Sequence, residues 1–138
     1  PGDFLLVQGL PYQADQAATQ VGNLTLIPYL NGPELSAAIT ASDTILCRAG
    51  YSTIMDLVFF GKRALFVPTP GQTEQEYLAE QLHAKGLAFA TNQQELDLVQ
   101  MLPAAEATQG LPRYAPLQGQ DLLRQTIAGF VERIRMEH

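Results

Sequence analysis

At 138 residues, 46% of them hydrophobic and 16% charged, the chain is long enough for one folded core and too apolar to stay disordered. A net charge of −6 with scattered basic residues argues against a nucleic-acid partner, because affinity for a phosphate backbone comes from clustered Lys and Arg. The single cysteine rules out an internal disulfide, and with no signal sequence or long apolar span in view the expected location is cytoplasmic.

The chain begins Pro1-Gly2-Asp3 and enters a strand at once, so residues 1–138 are expected to be one domain excised from a larger protein. Short apolar runs start at Phe4, Leu24, Thr44, Ala64 and Leu87, about twenty residues apart, which is the rhythm of a strand plus its crossover. The runs are continuous rather than alternating, as in strands buried on both faces, and predict an α/β fold with a parallel sheet covered by helices. Between Gly9 and Gly22 one short helix is expected around Ala14 to Thr19.

Asn31-Gly32-Pro33 precedes a helix over 34–41, with Pro at the helix start. A nearly all-apolar helix over 52–60 should be buried, and Gly61 should close it in the left-handed conformation. An amphipathic helix over 73–85 ends at Gly86, and Asn92 with Glu95 reads as a capping box for a helix to about Leu102. Residues 103–119 are rich in Pro, Gly, Ala and Gln and read as an irregular linker. A last helix over 120–136 is expected from Leu123, Ile127, Phe130, Val131 and Ile134 on one face.

In an open parallel sheet, ligands bind beyond the C-terminal ends of the strands, so the segments after each run are the candidate site. Arg48-Ala49-Gly50-Tyr51-Ser52-Thr53 joins a strand to a helix through a glycine, and a helix start favours an anion. Arg48 adds charge, and Asp56, one turn further on, is placed to accept from a diol such as a ribose. Taken locally, the same residues also fit a helix that Ser52 caps and whose dipole Asp56 complements. The turn Pro68-Thr69-Pro70-Gly71 leads to Glu74, Gln75 and Glu76, which taken locally read first as an ordinary acidic first turn and also suit sugar hydroxyls. Cys47 reads as a core residue, and neither His83 nor His138 has metal-ligand neighbours at the right spacing. No catalytic base is legible.

Asp43-Thr-Ile-Leu-Cys-Arg-Ala-Gly-Tyr-Ser-Thr-Ile-Met-Asp-Leu-Val-Phe-Phe-Gly-Lys-Arg-Ala-Leu-Phe-Val-Pro68, followed by Gln75-Glu76-Tyr77 and Gly86-Leu-Ala, resembles the C-terminal, donor-binding domain of GT-B glycosyltransferases. Within these it is similar to the MurG-like branch, the glycosyltransferase family 28 C-terminal domains, over about Leu24 to Asn92.

The resemblance implies a three-layer, Rossmann-like parallel sheet that lacks its first strand, which in the order 3-2-1-4-5-6 lies between Phe4–Val7 and Thr44–Cys47. It implies a UDP-sugar substrate, hexosyl transfer to an acceptor hydroxyl and no metal or other cofactor. Leu30 would read the uracil through its backbone and Leu35 would line the base pocket. Gly50, Tyr51, Ser52 and Thr53 would face the diphosphate, Asp56 the ribose, and Gln75 and Glu76 the transferred sugar. The catalytic base is expected in an absent N-terminal, acceptor-binding domain, so the chain alone would be inactive, and the intact protein would associate peripherally with a membrane. Asp56 stands where the family usually has Glu, one methylene longer, and Glu76 where it often has Gln, which leaves the hexose open. Two alternatives remain: a donor-binding subunit of a two-subunit glycosyltransferase, and a sugar-nucleotide 2-epimerase, which would need acid and base residues in the cleft.

Overall fold

The computed structural model describes residues 2–113, together with residues 132 and 136. The expected helix over 120–136 and the end of the expected linker lie outside the described residues. The chain divides into two compact units, Pro1–Ser42 and Asp43–His138.

The first unit contains strands β1 (Phe4–Val7), β2 (Thr19–Val21) and β3 (Leu24–Ile27) and helix α1 (Gly32–Ala41). β1 runs parallel to β3, from Phe4 opposite Leu24 to Val7 opposite Ile27. β2 is the correction here, because the expected helix over 14–19 is absent; a short 3-10 turn at Pro11–Gln13 leads instead to a strand antiparallel to β3. The cause is the dipeptide between Val21 and Leu24. Gly22 takes φ +61 and Asn23 keeps a negative φ, the pattern of a tight II′ hairpin turn. α1 opens on a reciprocal capping box: Asn31 accepts from the Glu34 N–H at 3.0 Å, and Glu34 accepts from the Asn31 N–H at 2.9 Å.

The second unit alternates β4 (Thr44–Cys47), α2 (Tyr51–Phe60), β5 (Arg63–Phe66), α3 (Thr73–Ala84) and β6 (Phe89–Ala90), then adds α4 (Leu98–Glu106). Its sheet has the order β4-β5-β6 with both pairs parallel, a partial Rossmann-like arrangement. Every fully buried hydrophobic side chain among the described residues lies in this unit, with Phe66, Leu65 and Leu57 the largest. β5 is the central strand, which is why Ala64, Leu65 and Phe66 are buried on both faces. Among the described residues β1 and β4 each pair on one side only.

Gly61 closes α2 at φ +64, and the N–H groups of Gly61 and Lys62 return to the Val58 and Leu57 carbonyls. Asn92 does not start a helix. Its Oδ1 accepts from the Gln94 and Glu95 N–H groups and closes a turn, while Asp97 caps α4 by accepting from Val99 and Gln100. α4 then runs past the expected stop at Leu102, so the irregular segment starts at Ala107. Pro103 inside it has no N–H to donate to the Val99 carbonyl one turn back, at a position where Val99 is 86% exposed. After α4 the chain returns to the start of β5, where the Leu111 N–H donates to the Lys62 carbonyl and Leu111 is buried.

Candidate functional site

β4, β5 and β6 end in register, with Cys47 opposite Phe66 and Phe66 opposite Ala90. The segments that follow them therefore leave the same edge of the sheet. These are Arg48 to Gly50, Val67 to Gln72, and Thr91 to Asp97.

The start of α2 has no side-chain cap. Gly50 is the N-cap residue, at φ −71 and ψ 145, and the first helical bond is Ile54 N–H to the Gly50 carbonyl at 3.0 Å. Ser52, the alternative cap, is the second helical residue and points its hydroxyl at no partner among the described residues. The N–H groups of Tyr51, Ser52 and Thr53 are likewise unpaired there, whereas α1 and α4 each receive a capping oxygen. Asp56 follows Ser52 by four and Thr53 by three positions, so all three share a face. Its carboxylate is exposed and has no hydrogen-bond partner among the described residues.

Around the start of α3, two predicted sugar contacts have a second role. Gln75 Oε1 accepts the Thr69 N–H at 2.8 Å, and Glu76 Oε1 accepts the Gly71 N–H at 3.2 Å, fixing a turn in which Gly71 takes φ +81. The Gln75 amide nitrogen and the other Glu76 oxygen stay without partners among the described residues. Arg48 is also engaged: Nη1 donates to the carbonyls of Val67 at 3.0 Å and Pro68 at 3.3 Å, and Nη2 to Gln93 Oε1 at 2.9 Å. Nothing in the sequence singles out Gln93, because its partner lies 45 residues away.

Leu30 and Leu35 belong to the first unit. Leu30 follows buried Pro28 and lies outside any element, and neither its N–H nor its carbonyl has a partner among the described residues. Leu35 stands in the first turn of α1 and is 40% exposed. At the end of β4, burial pushes the Cys47 thiol up from 9.0 to about 12, so it stays protonated. His83 holds β6, its Nδ1 accepting the Ala90 N–H at 3.2 Å and its ring edge-on to Phe89. Among the described residues no cluster of His, Cys, Asp and Glu is arranged for a metal ion, and no helix is long and apolar enough to cross a membrane.

The sequence profile of the glycosyltransferase family 28 C-terminal domain matches residues 5–109. A UDP-N-acetylglucosamine–N-acetylmuramyl-(pentapeptide) pyrophosphoryl-undecaprenol N-acetylglucosamine transferase from Desulforudis audaxviator is 36% identical over 94 residues, 67% of this chain and 25% of that protein. The crystal structure of Acinetobacter baumannii MurG is similar with a TM-score of 0.51 and 26% identity, over 75% of this chain and 35% of that one. The glycosyltransferase VinC, crystallised with DTDP, has a TM-score of 0.56 over 94% of this chain and 33% of its own, at 18% identity, which speaks for the fold alone. The chain spans about a quarter of the length of the curated relatives it matches.

Proposed function

The chain belongs to the family of glycosyltransferase family 28 C-terminal domains, MurG-like halves of GT-B glycosyltransferases, and on that premise we propose that it binds a UDP-sugar donor for hexosyl transfer to an acceptor hydroxyl. The observation that carries this reading is the start of α2, where three N–H groups point outward with no side-chain cap and Asp56 stands one turn further along the same face. Aligned backbone donors at the positive end of a helix stabilise a diphosphate directly, so the site calls for no metal ion. Asp56 accepts from the ribose hydroxyls, two donors for a carboxylate that has no other partner among the described residues.

The Gln75 amide and the unpaired Glu76 oxygen take the sugar, and their remaining atoms hold the turn on which they depend. The base and the acceptor site are assigned to the rest of a longer protein, since the chain spans about a quarter of the curated relatives' length. The chain alone then binds donor without turning it over. Isothermal titration with UDP tests this: the wild-type chain binds with or without EDTA, and Asp56→Ala weakens binding at least about tenfold, as expected for two lost hydrogen bonds to a charged group. Equal affinity in the wild type and Asp56→Ala removes the ribose assignment.

A further inference from the structure

Arg48 follows the last residue of β4 and reaches the segments that leave the other two strands. Both Nη1 hydrogens are taken by the Val67 and Pro68 carbonyls, and Nη2 donates one hydrogen to Gln93 Oε1. Charge-assisted donors to carbonyls are stronger than neutral ones, and the planar guanidinium fixes direction as well as distance. Pro68 opens the turn whose Thr69 and Gly71 N–H groups are held by Gln75 and Glu76. A continuous set of hydrogen bonds therefore runs from the guanidinium through this turn to the two side chains assigned to the sugar.

We propose that Arg48 is a positioning residue, which sets the Pro68–Gly71 turn and through it Gln75 and Glu76, and that it is not a ligand of the diphosphate. The proposal rests on the donor-site reading above. An arginine dedicated to the diphosphate would turn its fork outward, whereas here three of its five N–H groups, both of Nη1 among them, are committed to two carbonyls and an amide oxygen. Its loss must then appear in the extra affinity that the sugar adds to UDP, and not in UDP binding itself.

The experiment is isothermal titration of the full chain with UDP and with UDP-glucose, UDP-galactose and UDP-N-acetylglucosamine, for the wild type, Arg48→Gln, Arg48→Lys and Gln93→Ala. UDP affinity should stay within about twofold of wild type in all three variants, the range of an exposed substitution that touches no ligand. The gain from the best sugar should fall about five- to tenfold in Arg48→Gln, the low end of coupling between sites. Arg48→Lys should fail in the same way, because a point charge does not replace the fork, and Gln93→Ala should lose part of the gain. A diphosphate ligand would behave differently: Arg48→Gln would lose UDP affinity, most at low salt, and Arg48→Lys would restore it. That result overturns the proposal, and so does a wild-type chain that binds UDP and UDP-sugars equally. If Arg48→Gln does not fold, Gln93→Ala decides, and an unchanged sugar gain there also overturns it. A wild-type chain that does not bind UDP at all refutes the donor-site reading, and this proposal with it.

Discussion

Replacing Gly50 by Asp should stabilise the protein and at the same time weaken its binding of UDP. Gly50 holds φ −71 and ψ 145, close to the φ −71 and ψ 175 at which Asn31 caps α1. A Cβ on Gly50 meets only Thr53 Oγ1, at 3.9 Å, so a carboxylate reaches the free N–H groups of α2 without strain. An aspartate cap in place of glycine gains a few tenths of a kcal/mol, and its charge at the helix start adds about 0.3–1. The sum, about 0.5–1 kcal/mol, raises Tm by about 2–4 °C for a chain of this size.

The same carboxylate stands where the diphosphate is proposed to bind. Two like charges about 4 Å apart near a protein surface cost about 4 kcal/mol, which screening at this exposed site reduces to about 2, or about 30-fold in affinity. Differential scanning fluorimetry and titration calorimetry at low salt read the two effects separately, and Gly50→Asn supplies the cap without the charge. If Gly50→Asp raises Tm and leaves UDP affinity unchanged, the diphosphate does not bind at α2. If it lowers Tm, the description of α2 as an uncapped helix is wrong.

Cys47 links pH to stability. Its thiol is held protonated to about pH 12 in the fold against 9.0 ordinarily, so the stability it contributes is whole below pH 9 and is lost as pH rises from 9 toward 12. Denaturant midpoints for the wild type and Cys47→Ala should therefore converge over that window, and iodoacetamide at pH 8 should label the native thiol far more slowly than the unfolded one. Gly61→Ala should cost more than Gly71→Ala in thermal unfolding. Both positions have positive φ, but a Cβ at Gly61 lies 2.7 Å from Arg113 Cβ while one at Gly71 meets nothing within 4 Å. About 1 kcal/mol is expected for Gly71 and at least 2 for Gly61. Asn31→Ala removes the capping box of α1 and should cost about 1 kcal/mol in urea unfolding.

Most strands were legible because each is a continuous, largely apolar run, and β1, β3 and β4 fall on the residues their runs mark. The ends of α2 and α3 were legible for a similar reason, since Gly61 and Gly86 suit a left-handed residue. β2 was missed because Thr19-Gln20-Val21 is too short to show a period, although Gly22-Asn23 is a hairpin signal in its own right. Asn92 and Asp97 are both competent caps five residues apart, and the local pattern favoured the first. The site was half legible. Gly50 to Asp56 is contiguous, so a sequence pattern can carry it, but whether Ser52 or Gly50 stands at the N-cap depends on where the helix begins. The engagement of Arg48 was not legible at all, because its partners are 19 to 45 residues away and two of them are backbone carbonyls.

The two units differ in what they bury. In the first, Pro28 alone is buried, and Leu5 and Leu6 of β1 are 43% and 49% exposed, whereas the second holds the entire described core. Amide hydrogen exchange should grade accordingly, slowest across β5 and fastest across β1 and β3, because opening a segment without buried apolar contacts costs little free energy. Under the proposed assignment the diphosphate and ribose are met by side chains and N–H groups already anchored on that core.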